Sequence, residues 1–237
     1  MLEVIASSVA DALAAEAGGA DRLELVRALE VGGLTPPLEL VRDVLAAVRI
    51  PVRVMLREEE DFFVRAAKKI ERLCRLARSC AELSVAGLVL GFLTGHKDAP
   101  RIDHTLLAQV LASAPGTKAT FHRAFEVVPD SRQALRELKR HPQIDRILTS
   151  GDSKDIQKEW PQRLTGLAEL ARVAAPEIVI LVGGGVERDT IEALCQKKTK
   201  LEFHVGRAVR EPRTNNGAVH ASLVRELAVL IAAGATT

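Results

Sequence analysis

The stretch from Thr120 to Phe125, TFHRAF, places a histidine and an arginine at the end of a strand-like run that begins at Thr117. Side chains alternate between the two faces of a strand, so Thr120 and His122 share one face and Arg123 leaves the strand end from the other side. A histidine can act as a general base or bind a metal, and an arginine holds an anionic group. The pair therefore predicts a functional site.

Other chemically capable residues follow other strand-like runs. Gly183 to Gly185 come directly after Ile178–Val182, and Gly206 and Arg207 come after Leu201–Val205. Backbone N–H groups of such turns bind phosphate, and the loops after the seventh and eighth strands are the usual phosphate site of α/β barrels. The predicted anion-binding residues are Arg57, Ser150, Gly151, Gly183, Gly184, Gly185, Gly206 and Arg207.

Eight strand–helix alternations must position these residues. The predicted strands are Leu2–Ala6, Asp21–Val26, Ile50–Leu56, Val85–Leu93, Thr117–Phe121, Ile144–Thr149, Ile178–Val182 and Leu201–Val205. Alternating strands and helices indicate a parallel sheet, and eight units close as a (β/α)8 TIM barrel, here one domain over residues 1–237. A doubly wound open sheet is the alternative, but Ala6-Ser7-Ser8 stands where its glycine fingerprint would follow the first strand.

Segments between these strands give further expectations. We expect a long helix from Phe62 to about Leu83, with the acidic run Glu58–Asp61 at its start, and a last helix near Ala218–Ala233. Polar loops are expected at Thr94–Arg101 and at Asp152–Pro161.

Charged residues recur on the strand faces that oppose the apolar, helix-packing faces. They are Glu3, Glu24, Arg53, Arg57, His122, Arg146, Glu202 and His204. In a barrel that face is the lumen, where charges must pair, so an ion-pair network is the favoured interpretation for the deeper Glu3, Arg53 and Arg146. Nearer the carboxyl ends of the strands, the candidate catalytic residues are His122, Arg123, Glu24, Glu202 and His204.

Composition excludes several classes of function. The net charge of +2 is too small to indicate nucleic-acid binding, and no apolar run approaches the roughly 18 to 20 residues that span a bilayer. We expect no signal peptide, and the three cysteines suit free thiols in the cytoplasm. No lysine ends a strand on its inner face, and there is no GxSxG motif or strand HxH pair, which argues against Schiff-base aldolases, serine hydrolases and metallohydrolase barrels.

Several motifs together resemble the CutC family, described as copper homeostasis proteins with a barrel fold. They are GGADRLEL (18–25), EVGGLTP (30–36), VMLR (54–57), TFHRAFE (120–126), RILTSG (146–151), GGGV (183–186) and EFHVGRA (202–208). The resemblance covers most of the chain. It implies the barrel again, and it implies copper as the bound ion.

The chain departs from the family pattern where copper would be held. Cu(I) prefers thiolate or thioether ligands, and the positions of the family's proposed copper-binding cysteines are Ile5 and Val26 here. The loop after the third strand reads REEEDF (57–62) instead of RPRGGDF, and Asp152 replaces the last glycine of TSGG. The metal ligands are therefore unknown from the sequence.

Three interpretations remain open. The chain is a copper homeostasis protein that binds copper, an enzyme or binding protein for a small anionic or phosphorylated metabolite, or a scaffold whose lumenal charges are structural. We expect a small-molecule or metal ligand, no nucleic-acid or membrane partner, and self-association through the long third helix or the last helix.

Overall fold

Eight parallel strands close into a barrel in the computed structural model, which describes residues 1–151, 159–197 and 200–234. The barrel strands are β1 (Leu2–Ala6), β2 (Arg22–Leu25), β3 (Val52–Met55), β4 (Gly87–Leu90), β7 (Ala119–Phe121), β8 (Ile144–Thr149), β9 (Val179–Val182) and β10 (Leu201–Val205). Two antiparallel hairpins lie outside the barrel: β5 (Leu93–His96) with β6 (Ala99–Ile102), and β11 (Arg210–Glu211) with β12 (Ala218–Val219). The TIM-barrel prediction is confirmed.

Eight helices follow the barrel strands in the described part of the chain. They are α1 (Val9–Gly18), α2 (Leu38–Ala47), α3 (Ala67–Glu82), α4 (His104–Ala112), α5 (Ser131–Leu138), α6 (Trp160–Ala174), α7 (Arg188–Cys195) and α8 (Ala221–Gly234). Short 3-10 helices cover Leu29–Val31, Arg123–Val127 and Arg207–Val209. Among the described residues, no helix is both long and apolar enough to cross a bilayer.

Alternation along each strand divides the core into two parts. The outward residues, such as Leu23, Leu25 and Val54, are fully buried against the helices. The inward residues Ile5, Val26, Met55 and Val89 form a small separate apolar cluster inside the barrel. Charged side chains occupy the lumen below that cluster.

The long helix α3 starts later than predicted. It begins at Ala67 and not at Phe62, because the preceding chain is held at the barrel mouth: the Leu93 N–H donates to the Phe62 carbonyl at 2.9 Å, and the Arg57 guanidinium lies 4.8 Å from the Phe62 ring centre. The acidic residues before it do not cap α3; Glu58 forms an ion pair with Arg72.

Two other boundaries differ from expectation. The predicted loop Thr94–Arg101 is mostly the β5–β6 hairpin, whose cross-strand pairs run from Leu93–Ile102 to His96–Ala99. The last helix begins at Ala221, because Ala218–Val219 pairs with Arg210–Glu211 first. Most of the predicted loop Asp152–Pro161, including Asp152, lies outside the described residues.

An ion-pair network fills the lower lumen. Arg22 projects from β2 and binds carboxylates on two other strands. Its Nε donates a hydrogen bond to Glu3 on β1, and its Nη2 donates one to Glu202 Oε2 on β10 at 2.8 Å. Arg146 binds the same Glu202 through Nε at 2.6 Å and Nη2 at 3.0 Å. Glu3 and Glu202 are therefore each paired with an arginine that projects from the neighbouring strand or from the strand beyond it.

A second pair extends the network to the other side of the barrel. Arg53 donates to both carboxylate oxygens of Asp145, at 2.8 and 2.7 Å, and to Thr120 Oγ1 at 2.8 Å. Glu3, Arg53 and Arg146 are thus paired, as predicted. Arg22 and Asp145, which the strand pattern did not single out, complete the network.

Replacing Arg22 with methionine should destabilise the protein by about 3 kcal/mol, because Glu3 and Glu202 would each lose a buried cationic partner. Urea unfolding at pH 7 measures the change. Arg132→Met is the matched control: its ion pair with Glu169 is exposed, so its loss should cost well under 1 kcal/mol. Equal effects of the two substitutions would contradict a structural role for the lumenal network.

Candidate active site at the barrel mouth

A cavity of about 580 Å³ opens at the carboxyl ends of the barrel strands. Nine predicted site residues line it: Glu24, Arg57, His122, Arg123, Gly184, Gly185, His204, Gly206 and Arg207. Residues Glu202, Ser150, Gly151 and Gly183 are not among its lining. The volume falls within the usual range for a small-molecule site.

His122 is buried on the wall of this cavity. Its Nδ1 accepts a hydrogen bond from the Ala124 N–H at 3.2 Å, which places the ring proton on Nε2. Nε2 is buried and has no hydrogen-bond partner among the described residues. Gly91 makes room for the ring, because a Cβ at that position would lie 2.6 Å from Nδ1.

The charge state of His122 follows from its surroundings. Burial lowers the pKa of His122, and the nearby positive charges of Arg57 and Arg123 lower it further, to about 3. The ring is therefore neutral near pH 7. Its Nε2–H is a buried hydrogen-bond donor without a partner in the described part of the chain, and a side chain with this pKa is a poor general base.

Arg123 corrects the alternation argument. The chain leaves the extended conformation after His122 and turns into the 3-10 helix Arg123–Val127, so Arg123 lines the same cavity as His122 instead of leaving on the opposite face. The Arg123 guanidinium is anchored by the buried Glu126, with Nε–Oε2 at 2.8 Å and Nη2–Oε2 at 2.7 Å. Glu126 also accepts the Ser150 N–H at 2.5 Å, so it joins the ends of two strands.

Arg57 is held differently. Its Nη1 lies 3.4 Å from the carbonyl oxygens of Gly32 and Gly33, its Nη2 donates to the Glu60 carbonyl, and Phe62 stacks beneath it. Phe62 in turn contacts the His122 ring, with 5.1 Å between ring centres. Arg57 therefore fixes the mouth loops and contributes positive charge, while most of its donors are already occupied.

The glycine loop after β9 lies beside two arginines of the mouth, Arg123 and Arg207. Gly184 and Gly185 both have φ of 86°, a left-handed backbone that glycine adopts without strain. A Cβ at Gly184 would lie 3.3 Å from Arg123 Cζ, and one at Gly185 would lie 3.7 Å from Arg207 Nη2. Bare backbone and two guanidinium groups thus meet at one side of the mouth.

Two titratable residues, Glu24 and His204, lie at the floor of the cavity, and a third, Glu3, lies beneath them. His204 Nδ1 lies 2.8 Å from Glu3 Oε1, and its Nε2 lies 3.6 Å from Glu24 Oε2. Glu24 Oε1 is buried and has no hydrogen-bond partner among the described residues. Gly183 allows this arrangement, because a Cβ there would lie 3.0 Å from His204 Cδ2.

Burial and charge separate the pKa values of these groups. Burial alone would raise the pKa of Glu3, but Arg22 and His204 bring it down to about 2. Burial would lower the pKa of His204, but Glu24 and Glu3 raise it. Burial raises the pKa of Glu24 to about 7, against the opposing charge of His204. Glu24 therefore exchanges its proton near neutral pH, whereas Glu3 stays ionised.

The other predicted site residues lie next to the cavity but do not line it. Glu202 lies beneath the cavity in the ion-pair network, and Gly151 donates its N–H to Thr149 Oγ1 at 3.0 Å. The buried Ser150 packs beside Gly184. Sequence reasoning did not select Glu126 or Phe62 as site residues, although both lie within motifs it quoted; their roles depend on contacts between different loops.

The residues of the mouth do not suit Cu(I). The lumenal layer at the family's cysteine positions consists of Ile5 and Val26, packed with Met55 and Val89. The cysteines lie on helices, Cys74 and Cys80 on α3 and Cys195 on α7. Within residues 1–151, 159–197 and 200–234, no cluster of three or more His, Cys, Asp or Glu side chains could hold a metal ion.

Fold and site together define an α/β barrel with a cavity lined by charged residues at its carboxyl-terminal mouth. The model of the CutC family matches residues 1–209, and the chain belongs to that family. A CutC family protein of Xanthomonas axonopodis pv. citri is 36% identical over 203 residues, covering 86% of this chain and 81% of the relative. The human copper homeostasis protein cutC homolog is 34% identical over 206 residues, covering 86% and 72%.

Solved structures agree with the fold. A CutC protein structure from Streptococcus agalactiae matches with a TM-score of 0.77 and 27% identity, covering 87% of this chain and 97% of that one. Thiamine phosphate pyrophosphorylase from Pyrococcus furiosus matches with a TM-score of 0.61 at 14% identity, covering 98% and 96%, which shows a shared fold alone.

His122 should make the protein sensitive to acid. Below pH 6.5 the unfolded chain gains a proton on this imidazole that the folded chain does not take up until about pH 3, so stability is lost as pH falls through that window. Between pH 6.5 and 5 the loss should be about 2 kcal/mol. Urea unfolding of wild type and His122→Gln at pH 7 and pH 5 measures it; an identical pH response of the two proteins would contradict the buried neutral imidazole.

Proposed function

We propose that this chain binds a small anionic metabolite, in the simplest case a phosphorylated one, in the cavity at the barrel mouth. The observation that carries the proposal is the side of the mouth where Arg123, Arg207 and the backbone of Gly184 and Gly185 meet. An arginine pair with exposed glycine backbone recognises phosphate and carboxylate groups through several N–H donors at once.

Burial and charge distribution support the same conclusion. The His122 Nε2–H is a buried donor that needs an acceptor, and a bound ligand would supply one. Arg123 is oriented by Glu126, while Arg207 is exposed and has no ion-pair partner among the described residues. The cavity is thus cationic at its rim and carries the titratable Glu24 at its floor.

Copper binding is the second candidate, favoured by the name of the human relative. We infer that this chain takes part in copper homeostasis as its relatives' names indicate, but through the ligand of the mouth cavity and not through a resident Cu(I) ion. The apolar layer at Ile5 and Val26 and the helix positions of the cysteines support this distinction. A cytoplasmic location and self-association remain predictions.

Inorganic phosphate should raise the melting temperature of the protein, because a ligand that binds the folded state stabilises it. Arg207→Ala should weaken the apparent affinity by about tenfold, the contribution of one charge-assisted hydrogen bond. Thermal shift as a function of phosphate concentration measures both. Arg132→Ala, on the barrel exterior, is the control and should bind as wild type does; no phosphate-dependent shift in wild type would overturn the proposal.

Cu(I) should not form a tight stoichiometric complex with this chain. Anaerobic titration in competition with a Cu(I) chelator should leave the metal on the chelator, because soft ligands are not grouped at the mouth. The Cys74→Ser, Cys80→Ala, Cys195→Ser variant separates thiol binding at the helices from binding at the barrel. Stoichiometric binding that survives the triple substitution would establish a copper site that we do not expect.

A further inference from the structure

Besides Arg57 Nε, two buried polar atoms of cavity-lining residues have no hydrogen-bond partner in the described part of the chain, and the two are chemically complementary. Glu24 Oε1 accepts hydrogen bonds or protons, His122 Nε2–H donates, and neither has a partner among the described residues. Both side chains line the cavity and are only 2% and 3% exposed. An unpaired polar atom at such burial costs stability unless something bound satisfies it.

The barrel places these two groups across the cavity from each other. Around the closed sheet, β2 and β7 are separated by β3 and β4, so Glu24 and His122 project from well-separated parts of the wall toward the same space. A ligand between them would contact the donor with one atom and the acceptor with another, while its anionic group reached Arg123 and Arg207 at the rim.

We propose that this cavity catalyses proton transfer at a carbon next to a carbonyl group, with Glu24 as the base and the His122 Nε2–H as the donor to the carbonyl oxygen. The ligand is an anionic α-hydroxycarbonyl compound, and this proposal rests on the anion-binding function above. Glu24 and His122 are then catalytic residues, because both touch the reacting atoms.

The proposed step balances without a cofactor. The C–H bond breaks, its proton goes to Glu24 Oε1, and its electron pair forms a carbon–carbon double bond as the carbonyl oxygen becomes an enolate that His122 stabilises. Glu24 returns the proton to the same carbon or to the neighbouring one. In the second case the hydroxyl proton moves to the former carbonyl oxygen, and aldose and ketose interconvert.

The electrostatics suit these roles. Glu24, with a pKa of about 7, can both take and return a proton near neutral pH. A neutral imidazole can stabilise a developing enolate without protonating it fully, a device that barrel isomerases use. His204 is a positioning residue: Glu3 holds its Nδ1, and its Nε2 faces Glu24 at 3.6 Å.

The test uses deuterium exchange. The full-length protein is incubated in D2O with a panel of phosphorylated aldoses and ketoses of two to six carbons, and deuterium at the carbon next to the carbonyl is measured by NMR. Wild type should exchange at least one compound, and the rate should rise with pH around 7 as Glu24 ionises. The groups facing Glu24 are Glu3, His204 and Arg22, and those facing His122 are Arg57 and Arg123.

Variants distinguish the roles. Glu24→Gln should lower exchange by about 100-fold or more. It should keep the phosphate-induced thermal shift, and it should be at least as stable as wild type above pH 7, because ionising the buried Glu24 costs stability as pH rises from 4.5 through about 7. His122→Ala should lose more activity than His122→Gln, which keeps an N–H donor, and His204→Gln should shift the midpoint of the pH profile.

The outcomes separate this proposal from the anion-binding function. A phosphate-induced thermal shift with no exchange of any compound would overturn the proton-transfer proposal and leave anion binding in place. Exchange by Glu24→Gln at the wild-type rate would also overturn it. Absence of both exchange and thermal shift would overturn the anion-binding function as well.

Discussion

The ion pair of Arg22 with Glu3 is the interaction on which the site of this barrel depends. It neutralises a carboxylate that is almost fully buried, and it joins β1 to β2 inside the lumen. Through Glu202 the same guanidinium reaches β10 and, by way of Arg146, β8. Because Glu3 is held ionised, its other oxygen can fix His204, which then faces Glu24. A structural network beneath the cavity thereby sets the charge and orientation of groups that line it.

The mouth cavity holds two kinds of charged group, arginines at its rim and titratable carboxyl and imidazole groups at its floor. The floor carries Glu24 and His204, with Glu3 beneath them, and burial and mutual charge shift their pKa values in different directions. Burial, together with the rim residues Arg57 and Arg123, keeps His122 neutral, and the rim arginines give the mouth positive charge. Arg123 is paired with Glu126 at the rim, so it does not neutralise Glu24. The cavity can therefore offer cationic recognition and a titratable carboxyl to one ligand.

Close approaches at glycines shape the cavity as much as its charged groups do. Gly91 admits the His122 ring, Gly183 admits His204, and Gly184 lets Arg123 lie against the loop after β9. At these three positions, glycine leaves steric room for a particular neighbouring side chain. The proposed recognition of phosphate by the backbone of Gly184 and Gly185 is compatible with the room that this loop leaves for the arginines.

The barrel itself could be predicted from sequence, because eight alternations of apolar runs and helices leave few ways to close a parallel sheet, and strand periodicity alone placed Glu3, Glu24, His122 and His204 on the inner face. The family followed from motifs whose residues are contiguous. Contacts between separate segments decided the rest. Arg22 bridges strands whose residues are 180 positions apart in sequence, Glu126 orients Arg123 only because the chain turns after His122, and Phe62 reaches the mouth because Leu93 holds its carbonyl. A periodic pattern records which face a side chain occupies, whereas its partner, its charge state and its access to a ligand depend on burial, which only the tertiary structure determines.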